Sequence, residues 1–486
     1  MFKTCLSIAL LALLTACAND PFKRSSQFEK PDDGAVVVRT AYVFDDVYGK
    51  HGSMVVRNMN ENALGYYQID FSNEASSNSL VFVGTLPAGH YRIDHFANAM
   101  ESKILNEQFG EFDIKPRQMT DLGLLSFSLE RGMDNELHRY IQHSHTGNNR
   151  EIASSTVPEM VTQLHGQTLS WDPLHPPLGR DEDPHMLLAG VYSPAFASDG
   201  SFIYGTRFGN VSHVTTNGER VQAYLGEHVS LDNTLITAKG HWLAGGEFST
   251  LMQSDDNGLS WHSQRGNLPF GQIFGLFQWH DRIIVTLRQN LDVMVFSAGE
   301  GSDHWQQLAR YTLHYSLLGP KGVGPASGMF GDQLLVALPA DDLAVLDLKT
   351  GATAMRKYPG DIFVAAFGGD GVARCKCVAT IAMQTFESRD LGQTWQSPDG
   401  THFLALPIMR DALHGLTFRG GPFFAKFSVF RTEDGGKTWL EGQAFDDPLA
   451  QMFYAPTGTT VYAVSNQGAF WKSIDDGKVW FPVGVH

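Results

Sequence analysis

The residues of this chain that could do chemistry fall into two groups, one of hydroxyl–carboxylate sets and one of thiols. The first group is a motif written four times: Ser254, Asp256, Gly258, Trp261; Ser388, Asp390, Gly392, Trp395; Thr432, Asp434, Gly436, Trp439; and Ser473, Asp475, Gly477, Trp480. A hydroxyl two residues before a carboxylate could in principle serve proton transfer. The glycine at +4 and the tryptophan at +7 argue for a structural use instead. Glycine supplies the positive φ of a tight turn, and Asp and Ser or Thr side chains bond to the backbone of their own turn. A tryptophan can bury on the order of 200 Å² in a wedge between sheets.

The thiols are few. Of four cysteines, Cys5 and Cys17 lie at the N-terminus, and Cys375-Lys376-Cys377 form a close pair. Three uses are open to that pair: a local disulfide, a soft-metal site completed by histidine, or free thiols. In a regular strand, positions i and i+2 lie roughly 7 Å apart, so a bridge needs a turn or bulge to shorten the step. His143, His145 and His175 have no Cys or carboxylate at ligand spacing and read as solvated loop histidines. No cofactor or metal site is expected.

Cys17 has a more specific context. Met1-Phe2-Lys3 is a short basic start, residues 6–14 are apolar but too short to span a bilayer as a helix, and Leu14-Thr15-Ala16-Cys17 follows. This resembles the bacterial lipobox, which implies diacylglycerol on Cys17 and a signal peptide over 1–16. An ordinary secretory cleavage near Ala16 or Ala18 is the alternative. Ala18 after the lipidated position implies the outer membrane of a Gram-negative cell. Each buried CH₂ contributes ~0.8 kcal/mol, so several acyl chains suffice for anchoring. Residues 18–34 are polar and proline-containing, and 17–34 reads as an acylated tether.

The elements that must carry the motif come from its spacing. The last three copies start 44 and 41 residues apart, and the first two are 134 apart, which leaves room for two eroded copies. Ser297–Trp305 keeps the hydroxyl, the glycines and the Trp, and 345–351 runs an apolar strand into Lys349-Thr350-Gly351. Upstream, 211–218 is an alternating strand ending in Asn217-Gly218, a hairpin signal. A period of about 40 residues is that of a four-stranded propeller blade. Turns near 217, 257, 300, 349, 391, 435 and 476 predict seven blades over 187–486. These residues resemble the BNR/Asp-box repeat propellers, a class that includes sialidases, sortilin-type receptors and photosystem assembly factors. The resemblance implies boxes at the propeller periphery, away from the central funnel.

Residues 35–130 predict a separate β-sandwich. Runs at 36–38, 53–57, 64–71, 80–83, 90–96, 109–114 and 122–129 are rich in β-branched and aromatic residues between turn formers. The phrases Leu86-Pro87-Ala88-Gly89-His90-Tyr91 and Pro116-Arg117-Gln118 onward to Leu122-Gly123 resemble small sandwich domains of bacterial lipoproteins. Residues 131–186 read as a partly helical connector, with helices near 135–142 and 151–164. The whole is thus predicted as all-β: an N-terminal β-sandwich followed by a seven-bladed Asp-box β-propeller.

Composition narrows function by exclusion. The chain has 486 residues, a formal net charge of −16 and scattered basic residues, which argues against a nucleic-acid partner. After the signal no run of 18 apolar residues predicts a transmembrane helix. Gly435-Gly436-Lys437-Thr438 imitates a phosphate loop, but Arg431 stands where its first glycine belongs. Neither a Gly-x-Ser-x-Gly elbow nor a His-Glu-x-x-His pair occurs. Sialidase chemistry would need converging arginines and an Arg-Ile-Pro phrase, and the nearest phrase, Tyr91-Arg92-Ile93-Asp94, lacks the proline. Innermost strands are expected at 272–278, 361–367, 403–408 and 449–454, presenting Phe274, Phe277, Phe363, Phe367, Phe403, Met452 and Phe453 with few carboxylates beyond Asp361. A glycosidase ordinarily places two carboxyl groups across the bond. The expectation is therefore a periplasm- or surface-facing lipoprotein, not an enzyme, that binds a protein or glycan partner during envelope assembly. The alternative is a sialidase-like, glycoside-active enzyme using the propeller funnel.

Overall fold

The computed structural model describes residues 27–42, 52–61, 65–70, 79–97, 102–104, 110–131, 137–145, 147–171, 192–226, 228–314, 324–378, 383–397, 405–419, 427–446, 449–465 and 469–483. The chain forms two compact units. One holds residues 1–42, 46–73 and 80–183, and the other holds 43–45, 74–79 and 184–486. Cys17 and residues 18–26 of its tether lie outside the described residues, and the strand Asp33–Tyr42 already begins within the tether's last two residues. Among the described residues no helix is long and apolar enough to cross a membrane.

The first unit is built from two five-stranded sheets. Asp33–Tyr42 lies between Leu80–Pro87, antiparallel, and Met119–Arg131, parallel. The other sheet runs Tyr66–Asp70, Ser53–Asn58, Gly89–Ala97, Ser102–Ile104, with Glu111–Ile114 also paired to Gly89–Ala97. Val36 and Val38 from the first sheet, Met54, Val56, Tyr91, Ile93 and Phe96 from the second, and Trp171 share one apolar cluster. The unbroken run Val36-Val37-Val38 is fully buried. Strands buried on both faces lose the polar alternation that marks a half-exposed strand.

The described residues 137–145 and 147–171 group with this unit. The helix expected near 135–142 is instead the strand Leu137–Ser144, paired antiparallel with Met119–Arg131. Sheet pairing supplies all its backbone bonds, which outweighs a weak helical pattern. The second expected helix is present as α1 (Asn149–Thr156) and α2 (Pro158–Val161), split by Pro158. His143 is not a solvated loop residue. It ends that strand, its ring packs edge-on against Trp171 at 5.4 Å, and its Nε2 lies 3.1 Å from the Leu122 carbonyl. His175 lies outside the described residues.

The second unit is a succession of antiparallel meanders. Among the described residues seven sheets follow one another, over 192–224, 233–263, 272–312, 326–357, 361–388, 408–445 and 449–482. Six are four-stranded. The fifth has three strands, extended by the Glu387–Gln396 bridge. The first strands of the first five sheets abut one another in order, as do those of the sixth and seventh, which makes them the innermost. Apolar clusters join the second sheet to the third, the third to the fourth, the fourth to the fifth and the sixth to the seventh. The first sheet packs on the seventh: the Phe202 and Tyr462 rings meet at a tilt with centroids 4.8 Å apart, within a cluster that includes Tyr204, Phe453 and Phe470. Sheets radiating from a ring of innermost strands, the first packed on the last, are the construction of a β-propeller.

Candidate functional site

Three of the repeated turns connect the third strand of a sheet to the fourth, the one at 388–395 connects the third strand of the fifth sheet to the Gln396 bridge, and their internal bonding follows one pattern. In the first, Ser254 Oγ donates to Asp256 Oδ1 at 2.8 Å and accepts from the Gly258 N–H at 2.8 Å. Asp256 also accepts from the N–H and the hydroxyl of Ser260 at 2.8 and 2.6 Å. Ser388, Asp390, Gly392 and Thr394 repeat this set, as do Thr432, Asp434, Gly436 and Thr438. Ser473, Asp475 and Gly477 do so with Val479 supplying only its N–H. These bonds favour the ionised carboxylate. The Asp256 and Asp390 carboxyls are held down at about 2, chiefly by the Ser260 and Thr394 hydroxyls, and Asp434 at about 2 by the Thr438 N–H. Asp475 is lowered in the same sense, led by the Val479 N–H. A carboxylate so stabilised is a poor proton carrier.

The turn also has a feature that the motif does not spell. Gly258, Gly392, Gly436 and Gly477 have φ of 87, 87, 87 and 78°, and the residue before each, Asn257, Leu391, Gly435 or Asp476, is left-handed too. A Cβ on Gly392 would lie 2.4 Å from Leu343 Cδ2 in the preceding sheet.

The tryptophans reach backwards. Trp395 donates at 3.0 Å to the carbonyl of Lys357, the last residue of the fourth sheet, and its ring meets that of the next residue, Tyr358, at 4.7 Å and a 37° tilt. Trp480 packs on Phe445 of the sixth sheet. Trp305, in the eroded copy, is buried against Leu268 and donates to the Gln264 carbonyl at 3.0 Å. Among the described residues, Trp261 bonds only its own turn, at the Gly258 carbonyl, and the buried Trp439 indole nitrogen has no hydrogen-bond partner. The indole wedge is thus clearest at three junctions.

Cys375 and Cys377 are joined by a disulfide, with Cα atoms 5.8 Å apart. They lie on one face of the second strand of the fifth sheet, fully buried in the cluster shared with the fourth. A bulge in the neighbouring strand, between Ile362 and Val364, sits directly opposite this pair. Among the described residues no group of three His, Cys, Asp or Glu is placed to hold a metal ion.

The propeller arginines that sialidase chemistry would need to converge, Arg207, Arg282, Arg288, Arg374, Arg410 and Arg419, are engaged separately. Arg374 is buried and bonds Asp370 at 2.6 and 3.1 Å and Glu387 at 2.8 Å. Arg410 pairs with Asp411 and Asp476 at 3.3 and 3.2 Å, where Asp476 also accepts from the Tyr454 hydroxyl at 2.7 Å. Arg282 donates to Ser297, Arg288 to the Asn290 carbonyl, and Arg419 contacts Glu441 and the Phe430 ring. Arg207 is buried in the first sheet's central loop.

Of the expected innermost strands, Gln272–Trp279, Asp361–Phe367 and Leu449–Tyr454 are first strands. The fourth is Ile408–Met409, and Phe403 lies outside the described residues. Met452 and Phe453 are buried in packing between sheets, whereas Phe363 and Val364 on the inner strand of the fifth sheet are 47 and 41% exposed. Sequence reasoning named Phe363 but missed Val364 and the half-buried Lys376 opposite it, because only the bulge turns that stretch outward.

No protein-family model matches the chain, and no curated protein matches it. Solved structures do. YCF48 from Cyanidioschyzon merolae is 12% identical with a TM-score of 0.48, covering 60% of this chain and 97% of its own. YCF48 bound to a D1 peptide is 13% identical, with a TM-score of 0.40 and coverage of 61 and 82%. BamB from Moraxella catarrhalis is 11% identical, with a TM-score of 0.39 and coverage of 58 and 84%.

Proposed function

We propose that this protein is an outer-membrane lipoprotein, anchored through acylated Cys17, in which a seven-bladed Asp-box propeller follows an N-terminal β-sandwich and binds a protein partner. The observation that carries the binding role is the pair Phe363 and Val364, apolar side chains left exposed on an innermost strand. Single exposed apolar residues are ordinary, but adjacent ones on an inner strand form an apolar patch, and such patches mark interaction sites. The four box carboxylates support the same reading from the other side. They are committed to their own turns, so the most conspicuous acidic residues of the propeller serve architecture. The seven consecutive sheets among the described residues support the seven-blade reading, and the two sheets sharing the Val36–Trp171 cluster support the sandwich.

Crosslinking of intact membranes followed by affinity purification tests the binding role. Recovery of one envelope protein in stoichiometric amount, lost on Phe363→Asp with Val364→Asp, is the expected result. Hydrolysis of sialosides by the purified protein, abolished by one funnel Asp, Glu or Tyr substitution with folding intact, overturns it. Anchoring is tested apart from binding: Cys17→Ser releases the protein from the membrane fraction, and an unacylated mature N-terminus by mass spectrometry refutes the anchor.

A further inference from the structure

The fifth sheet carries an uncompensated cation. In register, Val364 on the inner strand faces Lys376 on the second, which faces Thr385 on the third. Side chains of directly opposed residues share one face, roughly 4.5–5.5 Å apart at Cβ. This face is opposite to the one that buries Cys375 and Cys377 against the fourth sheet, because side chains alternate along a strand. Two residues along, Arg374 already holds the carboxylates of Asp370 and Glu387. Among the described residues nothing forms an ion pair or hydrogen bond with Lys376. The Thr385 hydroxyl beside it is buried and has no partner either. Burial lowers the Lys376 ammonium from its ordinary pKa, and nothing nearby offsets that desolvation.

We propose that Lys376 is the anchor of a binding site for an acidic, apolar segment of a protein partner, whose carboxylate pairs with Lys376 while Phe363 and Val364 cover its apolar side chains. The proposal rests on the protein-binding reading above and adds the chemistry of the ligand. A half-buried cation opposite an exposed aliphatic side chain, with an exposed aromatic next to it on the inner strand, matches a carboxylate carried on an apolar chain. The flanks exclude water and strengthen the pair. A phosphate-bearing ligand fits less well. It calls for several convergent donors, and the nearest guanidinium, Arg374, is saturated.

Fluorescence anisotropy with the full-length protein in mild detergent tests this, using a labelled peptide of alternating Asp and Leu and its Asn-for-Asp counterpart. The Asp peptide is expected to bind saturably and the Asn peptide about tenfold more weakly. Lys376→Met should weaken the Asp peptide by about tenfold and leave the Asn peptide unchanged, whereas Lys376→Arg retains the preference. Val364→Ser weakens both peptides. If Lys376→Met fails to fold, acylation of the wild-type protein gives the second reading: the Asp peptide protects Lys376 from acetylation, as read by mass spectrometry. Absence of saturable binding, equal binding by Lys376→Met, or unprotected Lys376 overturns the proposal. So does Lys376-dependent binding of phosphatidylglycerol vesicles in place of the peptide. Undiminished recovery of the crosslinked envelope partner by Lys376→Met would sink this site while leaving the protein-binding role intact.

Discussion

Trp395 donates its indole N–H to the carbonyl of Lys357, 3.0 Å away in the last strand of the preceding sheet. The residue that closes one turn thus holds the neighbouring sheet. Trp480 does the equivalent by packing on Phe445, and it is more deeply buried, at 5% exposure. Trp480→Ala should therefore cost about 3–5 kcal/mol, and the partly exposed Trp395→Ala less, about 1–3 kcal/mol. Urea unfolding of each variant measures both. Losses below about 1 kcal/mol at both positions would remove the wedge role, since they fall well under the range for large buried aromatics.

The box carboxylates predict an acid sensitivity with a definite sign. Their folded pKa, about 2 for Asp256, Asp390 and Asp434, is below the value near 3.9 of an unfolded Asp. The stabilisation is then complete above pH ~4 and is lost as pH falls toward 2. Asp390→Asn should melt below wild type at pH 6, and the gap should narrow steadily between about pH 4 and 2. A gap that stays constant across that window would show that ionisation of Asp390 contributes nothing.

Gly392 is held at a φ of 87°, and a Cβ there would meet Leu343 at 2.4 Å. Gly392→Ala should cost about 2–3 kcal/mol, combining left-handed strain with displacement of Leu343. Gly369, with open space around its Cβ position and no left-handed φ, is the control: Gly369→Ala should be near neutral. Equal effects at the two positions, in thermal or urea unfolding, would contradict the turn geometry.

The Cys375–Cys377 bridge predicts a labelling pattern. In protein unfolded without reductant, both cysteines should stay unmodified by iodoacetamide, and after reduction both should label. Labelling of both before reduction would show free thiols. Because the pair is fully buried between the fourth and fifth sheets, Cys375→Ala with Cys377→Ala should destabilise the protein by about 2 kcal/mol or more.

What the sequence determined by itself was whatever rests on chemistry within a few residues. The hydroxyl, Asp, Gly and Trp at fixed spacing specify a turn that bonds to itself, so its four copies and even the eroded Trp305 could be placed on strand connections. Burial in sheets likewise follows from β-branched runs such as Val36-Val37-Val38. Tertiary structure decided the rest, because the determining partner lies far along the chain. Residues 137–144 became a strand because Met119–Arg131 offers them a ladder, against their local helical pattern. The left-handed backbone at Leu391 and Asp476 has no residue signature, since the turn imposes it on whatever stands there. Arg374 and Lys376 are two residues apart on one strand face, yet the first is saturated by Asp370 and Glu387 and the second has no partner among the described residues. Which of two neighbouring cations is left unpaired depends on the loop and strand that fold back beside them, and no local pattern encodes that.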